Sequence, residues 1–331
     1  MIRRAISSGL LLLLMALPQW PVAAQAQMVP VDDSYTVSSR FLVNRARHPD
    51  FRLPVLTMVE GQQIMFDRLY KTVGERELHS DIFLPPVGTR VGQAIVLVHG
   101  GGWHSGNKSN FYTMASLLAQ RGYVVVLPEF RLAPEAGYPA GLLDVNDAIR
   151  WTISQADELG IDPQRIAIGG ESSGGQMASL VAYTGGTPLF SAGPDDAPRV
   201  NALIDIDGAI DFTTPLALAN ENRNDATPAA RWLGGSWEHA PERWREASAA
   251  TYVGPRSPPT LVISGEQDRF TAGIEKVLPV LEAHGIANRH AHFADQPHAF
   301  WLFEPYASQI VDEIDTFLQG IAPAQETTGE D

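Results

Sequence analysis

The sequence predicts an α/β fold: a mostly parallel central sheet covered by helices on both faces, with a lid-like insertion. From about residue 78, short apolar runs alternate with longer amphipathic segments. The short runs are rich in aliphatic and β-branched residues, and several have no polar face, which is typical of parallel strands buried on both sides. Strands that alternate with helices along the chain indicate one parallel sheet.

Each element of this fold has its own signal in the sequence. Seven segments are predicted as strands: Asp81–Leu84, Ala94–Val98, Tyr123–Leu127, Ile166–Gly169, Ala202–Ile206, Thr260–Ser264 and His290–Phe293. Two helices are marked by apolar residues that recur at helical spacing and form one stripe. These residues are Val145, Ala148, Ile149, Thr152 and Ile153 in the first helix, and Ile310, Ile314, Phe317 and Leu318 in the second.

The strand and helix pattern extends over residues 78–320, which we predict to be one α/β domain. Residues 27–77 fit the pattern poorly, and we expect an N-terminal extension that packs over the domain. Residues 208–259 are irregular, rich in tryptophan and long for a simple connection, so they are a candidate lid or pocket wall. Residues 321–331 are polar and acidic and are predicted to be a disordered tail.

The first 26 residues have the order of a secretory signal peptide. Arg3 and Arg4 precede an apolar stretch, Leu10–Leu17, which is too short to span a bilayer, and small residues follow it. Cleavage after Ala24 and cleavage after Ala26 are both compatible with the sequence. The alternative is a buried N-terminal helix, but the segment has no polar face. We therefore expect a periplasmic or secreted protein with no membrane anchor after cleavage.

Composition excludes several classes of protein. The net charge of −14 argues against nucleic-acid binding, because few cations are present to neutralise phosphates. The chain has no cysteine, which rules out a thiolate zinc site and a lipoprotein anchor. The histidines show no metal-binding spacing, and no phosphate-binding loop with its lysine is present. We expect neither a metal nor another cofactor.

The strongest motif is the pentapeptide at 170–174, which reads Gly-Glu-Ser-Ser-Gly. It follows a predicted strand directly and opens a predicted helix, as a nucleophile on a sharp strand-to-helix turn requires. The flanking glycines are needed because the turn brings backbone segments together. Ser172 is the candidate nucleophile. Ser173 is the competing serine, but the glycines are spaced around Ser172, so the backbone N–H of Ser173 is instead an expected oxyanion donor.

A second motif follows the predicted strand Ala94–Val98: a histidine, three glycines and a tryptophan at 99–103. Acyl transfer places negative charge on a carbonyl oxygen, and backbone N–H groups can stabilise that charge if no side chain keeps them away. We expect Gly101 and Gly102 to be these donors. His99 resembles a catalytic histidine, but its position favours a hydrogen-bonded anchor for the loop.

A serine nucleophile needs a base and a carboxylate that orients the base, and in folds of this kind the chain order is serine, acid, histidine. The acid should follow a late strand. Asp268 lies four residues beyond the predicted strand Thr260–Ser264 and is the candidate. Glu266 and Asp295 are its rivals, and each is compatible with a surface position.

The base should follow the acid and precede the last helix. His298 occupies this position, in a loop after the last predicted strand. His290 and His292 lie within that strand, where alternation favours packing or surface roles. The sequence therefore predicts Ser172, Asp268 and His298 as a catalytic triad.

These segments together resemble the bacterial α/β-hydrolases of the feruloyl/acetyl esterase type, the BD-FAE-like family, and also the hormone-sensitive-lipase-like esterases. The resemblance covers roughly residues 78–320. It rests on His99–Trp103 with Gly106 and Lys108, Glu129–Glu135, Tyr138–Ala140, Ile161–Pro163 and Gly170–Gly175. It implies an α/β-hydrolase fold, serine ester hydrolysis, the same triad and the same oxyanion donors. Glu129 stands where these families more often have Asp, and Ser173 where many have Ala.

The resemblance and the expected export together suggest the removal of acetyl or feruloyl groups from plant poly- or oligosaccharides. A short-chain carboxylesterase of broad specificity is the alternative, and a serine peptidase or a catalytically inactive binding protein is less favoured. Tryptophans are candidates for stacking on a sugar or an aromatic acyl group, although they could equally be ordinary packing residues. The candidates are Trp103, Trp232, Trp237 and Trp301.

Overall fold

A computed structural model describes residues 32–193, 195–222 and 224–321 of the chain. The predicted signal peptide, residues 1–26, lies outside the described residues, as does the predicted tail from residue 322 onward. Within the described ranges, none of the helices is both long enough and apolar enough to cross a membrane.

One eight-stranded sheet forms the centre of the described structure, with the strand order β1-β2-β4-β3-β5-β6-β7-β8. The two strands of the first hairpin are antiparallel to their neighbours, and all the remaining pairs are parallel. The strands are β1 (Gln63–Val73), β2 (Arg76–Leu84), β3 (Ala94–Val98), β4 (Val124–Pro128), β5 (Ile166–Glu171), β6 (Ala202–Ile206), β7 (Thr260–Ser264) and β8 (Asn288–His292).

The sheet confirms the mostly parallel architecture predicted from the sequence, and a strand occupies each of the seven predicted positions. The predicted extension, residues 27–77, contains a further element, since β1 and the beginning of β2 lie within it. Strand β1 is at the sheet edge, and none of its side chains is fully buried. An edge strand that is open to solvent needs no continuous apolar run, and the sequence of β1 mixes apolar with charged residues, unlike the central strands.

Helices flank both faces of the sheet in the described part of the chain. They are α1 (Val37–Asn44), α2 (Tyr112–Gln120), α3 (Ala140–Ser154), α4 (Ala156–Leu159), α5 (Ser173–Thr184), α6 (Pro215–Glu221), α7 (Pro228–Leu233), α8 (Pro241–Glu246), α9 (Ile274–Ala283) and α10 (Tyr306–Ile321). Short 3₁₀ turns occur at Lys108–Phe111, Ala249–Thr251, Asp268–Thr271 and Phe300–Leu302. The two helices that were predicted from apolar stripes are α3 and α10.

Two apolar layers, one on each side of the sheet, hold the helices in place. The first layer contains Leu142 and Val145 of α3 and Leu180 of α5, which pack on one face of the sheet. The second contains Leu118 of α2 and Ile310 of α10, which pack on the other. Since both faces are covered, the central parallel strands are buried throughout, and their loops meet at the carboxyl edge of the sheet.

Candidate active site

Ser172 lies at the sharp turn between β5 and α5. Its backbone has φ 55° and ψ −123°, a strained conformation for a residue with a side chain. A Cβ atom on Gly170 would overlap the carbonyl oxygen of Gly174, and one on Gly174 would overlap the carbonyl oxygen of Val98. The flanking glycines are therefore required by close backbone contacts, as the motif predicts.

His298 is placed to take the proton of Ser172. It lies in the loop after β8, and its Nε2 atom is 2.8 Å from the Oγ atom of Ser172. The Phe270 ring stacks on the imidazole with 3.4 Å between ring centroids. The indole of Trp301 also packs edge-on against the imidazole, with 4.9 Å between ring centroids. Aromatic packing thus fixes the imidazole in a position that suits a general base.

The carboxylate that faces His298 belongs to Asp207. Its Oδ2 atom is 2.9 Å from Nδ1 of His298, and its Oδ1 atom accepts a hydrogen bond of 2.9 Å from the backbone N–H of Gly265. Asp207 follows β6 directly and is 1% exposed. A buried carboxylate in this position holds the imidazole in one tautomer and favours its protonated form.

This geometry contradicts the assignment of Asp268 as the orienting acid. Asp268 begins the 3₁₀ turn after β7, and it is exposed. Strand β6 is the immediate neighbour of β5, which carries Ser172, whereas β7 is one strand further away. The rivals Glu266 and Asp295 are also exposed. The signal for Asp207 was present, because it directly follows a predicted strand and lies between Ser172 and His298 in the chain.

The three predicted oxyanion donors, Gly101, Gly102 and Ser173, all line the cavity that contains Ser172. Gly101 has φ 122°, and a Cβ atom there would overlap the backbone of Ser105. The N–H of Trp103 donates a hydrogen bond of 3.2 Å to Oγ of Ser173. This bond joins the glycine loop to the start of α5. An alanine at position 173 could not accept this hydrogen bond.

Glu171 supports the glycine loop, and the sequence analysis did not identify this residue. The carboxyl group is fully buried beside the nucleophile, where Oε1 accepts a 2.6 Å hydrogen bond from the N–H of Gly100. Oε2 accepts a 2.7 Å hydrogen bond from the hydroxyl of Tyr35. Burial raises the pKa of Glu171 to about 8. The hydrogen bonds from Tyr35 and Gly100 oppose this shift, and they tie the glycine loop to the residue that precedes the nucleophile.

His99 anchors the glycine loop at the same residue, Gly100. Its ring stacks on Phe130 at 4.5 Å, and its Nδ1 atom is 2.8 Å from the carbonyl oxygen of Gly100. Burial lowers the pKa of His99 to about 4, so the ring is neutral at physiological pH. These contacts support the interpretation of His99 as an anchor for the loop.

The cavity above Ser172 has a volume of about 450 Å³. Its walls include residues of both the N-terminal extension and the candidate lid, residues 208–259. Tyr35 and Arg40 come from the N-terminal extension, and Phe212 and Pro228 come from the segment 208–259. The space is of the size that holds a small ligand.

Of the four tryptophans predicted to contact substrate, Trp103 alone lines the cavity within the described part of the chain. Trp232 is stacked behind it at 4.8 Å and is buried. Trp237 packs under the guanidinium of Arg245, and Trp301 packs against His298. The prediction for Trp232, Trp237 and Trp301 is corrected, because these rings serve packing behind the cavity walls. Sequence position alone cannot tell the two roles apart.

The described residues contain no group of three or more histidine, cysteine, aspartate or glutamate side chains arranged to hold a metal ion.

The pH dependence of catalysis is expected to follow His298, which must be neutral to act as a base. Burial lowers the pKa of His298, the carboxylate of Asp207 opposes this shift, and the guanidinium groups of Arg269 and Arg40 add to it. We expect kcat/KM for a neutral ester to rise with pH and level off, with a midpoint below the usual histidine value of about 6.5. A pH–rate profile measures this midpoint, and a value above 7 would contradict the prediction.

The fold and the site together define an α/β-hydrolase with a Ser-His-Asp constellation beside a glycine loop. The BD-FAE family model matches residues 80–273, which is more than half of the chain. The chain belongs to the BD-FAE family.

A curated relative and two solved structures illustrate the relationship. The probable carboxylic ester hydrolase LipM of Mycobacterium tuberculosis is 30% identical over 228 residues, 67% of this chain and 51% of the relative. Thermogutta terrifontis esterase 2, phosphonylated by sarin, has a TM-score of 0.64 at 23% identity and covers 80% of this chain and 97% of its own. A bifunctional GH43-CE protein of Bacteroides eggerthii has a TM-score of 0.66 at 24% identity. The match covers 81% of this chain and 39% of that protein.

The chain spans about half the length of the curated relatives it matches first. The two structural neighbours are below 25% identity, so they support the fold and leave the substrate open.

Proposed function

We propose that this protein is an exported serine carboxylic ester hydrolase that removes acetyl or feruloyl groups from plant-derived poly- or oligosaccharides. The observation that carries the hydrolase proposal is the continuous hydrogen-bonded chain from Ser172 through His298 to Asp207 at the cavity. Membership of the BD-FAE family and the names of the curated relatives support the same reaction class.

The proposed mechanism is a double displacement through an acyl-enzyme. His298 removes the proton of Ser172, the serine oxygen attacks the ester carbonyl carbon, and Asp207 stabilises the imidazolium. The resulting oxyanion accepts hydrogen bonds from the backbone N–H groups of Gly101, Gly102 and Ser173. His298 then protonates the departing alcohol. It next activates a water molecule, whose attack releases the carboxylic acid and restores the free serine.

Support for a saccharide substrate is less direct than support for the reaction. The amino-terminal sequence predicts export, and the structural neighbour from Bacteroides eggerthii is described as joining GH43 to CE in one protein. The alternative, a short-chain carboxylesterase of broad specificity, is favoured by the modest cavity of about 450 Å³, which suits small acyl groups.

A substrate panel tests the proposal. Acetylated xylan, a feruloylated oligosaccharide and 4-nitrophenyl esters of two to twelve carbons would be compared by kcat/KM. We expect kcat/KM to be higher for one of the saccharide esters than for every 4-nitrophenyl ester whose acyl chain is longer than four carbons. The reason is that only short or planar acyl groups suit the cavity. A preference for long acyl chains would overturn the saccharide proposal. Hydrolysis of short aryl esters with no release from either saccharide would favour the alternative.

A further inference from the structure

Two guanidinium groups line the cavity that contains Ser172, together with the carboxylates of Asp207 and Glu221. Arg40 comes from α1, and Arg269 comes from the 3₁₀ turn after β7. Neither residue belongs to the hydrogen-bonded chain that performs the proposed chemistry. Both groups are close enough to His298 to disfavour its protonation, so their charges reach the reacting atoms. The cavity thus offers guanidinium groups to its contents.

Arg40 has hydrogen-bonding capacity that the protein does not use. One Nη2 bond of 3.1 Å goes to the carbonyl of Ser34, and the guanidinium lies 5.8 Å from the centroid of the Tyr35 ring. The Nε atom is buried and has no hydrogen-bond partner in the part of the chain that the structure describes. No carboxylate of the described residues forms an ion pair with Arg40. A buried donor that lacks an acceptor is costly, and an anionic ligand would remove that cost.

The charge of Arg269 is partly neutralised by a carboxylate, but the residue still lines the same cavity. Its Nη1 atom is 3.4 Å from Oε1 of Glu221, and its Nε atom donates to Gln267 at 3.2 Å. The guanidinium lies over the ring of Phe270 at 3.9 Å, and that ring stacks on His298. Arginine, aromatic ring and imidazole therefore form one stack at the edge of the cavity. Two carboxylates line the same cavity: Glu221 faces Arg269, and Asp207 is engaged with His298 and the N–H of Gly265. Arg40 is therefore the guanidinium group of the cavity that has no carboxylate partner among the described residues.

The position of this charge indicates which half of the ester it meets. His298 must protonate the departing alcohol, so the alcohol part of the substrate lies on the histidine side of the carbonyl. The carbonyl oxygen itself is directed toward the glycine loop. Since the guanidinium of Arg269 lies over the ring that stacks on His298, Arg269 lies on the side of the alcohol part.

We propose that the cavity selects esters whose alcohol part carries a carboxylate, as in an acylated uronate residue of an acidic saccharide, and that Arg40 and Arg269 bind this carboxylate. A guanidinium group matches a carboxylate with paired hydrogen bonds, which gives both charge and geometric selectivity. This inference rests on the proposed ester hydrolase function and makes its substrate class more specific.

The test uses 4-acetoxyphenylacetate and its neutral primary amide as substrates. The methylene group separates the charged end from the ring, so the two phenol leaving groups differ little. For the full-length protein we expect kcat/KM to be about 10-fold or more higher for the carboxylate than for the amide, as for a charged hydrogen bond. Arg40→Gln and Arg269→Gln should each bring this ratio toward one. Arg256→Gln is the matched control, because Arg256 is exposed and outside the cavity.

Each outcome decides a different point. Equal rates for the two substrates in the wild type would overturn the inference while leaving ester hydrolysis intact. A wild type that cleaves neither substrate and takes no fluorophosphonate label would instead contradict the proposed function. An unchanged ratio in both arginine variants would overturn the roles of the arginines. Arg40→Lys, which keeps the charge, should retain part of the preference, and this variant serves if Arg40→Gln fails to fold.

A preference that appears only when the carboxylate is on the acyl part would contradict the assignment to the alcohol part. The probes for that outcome are 4-nitrophenyl hydrogen adipate and 4-nitrophenyl hexanoate, which differ in a terminal carboxylate at the end of the acyl chain.

Discussion

Replacing Ser172 by alanine is expected to reduce kcat/KM for 4-nitrophenyl acetate by about 10⁴-fold or more, because the acyl-enzyme can no longer form. Covalent labelling with a fluorophosphonate should be lost at the same time. Mass spectrometry of the labelled wild-type protein should place the adduct on the peptide that contains Ser172. The removed oxygen is the one that lies 2.8 Å from His298.

Ser173→Ala is the matched control for this experiment, since the two serines are adjacent. The Ser173 variant should still be labelled, because its side chain holds Trp103 and is not directed to His298. Labelling that survives in Ser172→Ala and disappears in Ser173→Ala would reverse the assignment of the nucleophile.

Asp207→Asn should reduce kcat/KM by about 10³- to 10⁴-fold, because an asparagine amide does not stabilise the imidazolium and allows the wrong tautomer of His298. Asp268→Asn, at an exposed position outside the hydrogen-bonded chain, should remain close to the wild-type value. Steady-state kinetics on the pair of variants therefore separates the two candidate acids.

The pH profile adds a readout that a simple loss of stability would not change. The carboxylate of Asp207 raises the pKa of His298, so the residual activity of Asp207→Asn should have its acidic midpoint at a lower pH than the wild type. A large loss of activity in Asp268→Asn, with little change in Asp207→Asn, would restore the acid predicted from the sequence.

Much of the fold could be predicted because buried strands and helices have recognisable apolar patterns in the sequence. The central strands are covered on both faces, so β3 to β7 appear as short, almost wholly apolar runs. The stripes of α3 and α10 reflect one-sided burial against the sheet. Strand β1 does not have such an apolar run, because it lies at the open edge of the sheet and exposes much of its surface.

Some residues of the candidate site could likewise be predicted from the sequence, and others could not. Ser172 and His298 could be predicted because local backbone geometry and chain order constrain them. The acid was predicted wrongly as Asp268, because Asp207 and Asp268 both follow strands between the serine and the histidine. Choosing between them requires the lateral order of β5, β6 and β7, which the sequence does not state. The contact between Glu171 and Tyr35 links residues 136 positions apart and had no local signal.

The family match ends at residue 273 and begins at residue 80, so it leaves out Tyr35, Arg40 and His298. The α1 part of the cavity wall therefore lies outside the matched region, whereas the serine turn and the glycine loop lie inside it. An exchange at Arg40 would change the charge of the cavity wall without changing any residue of the matched region. Under the proposal made above, membership of the family would then leave open which ester this cavity prefers.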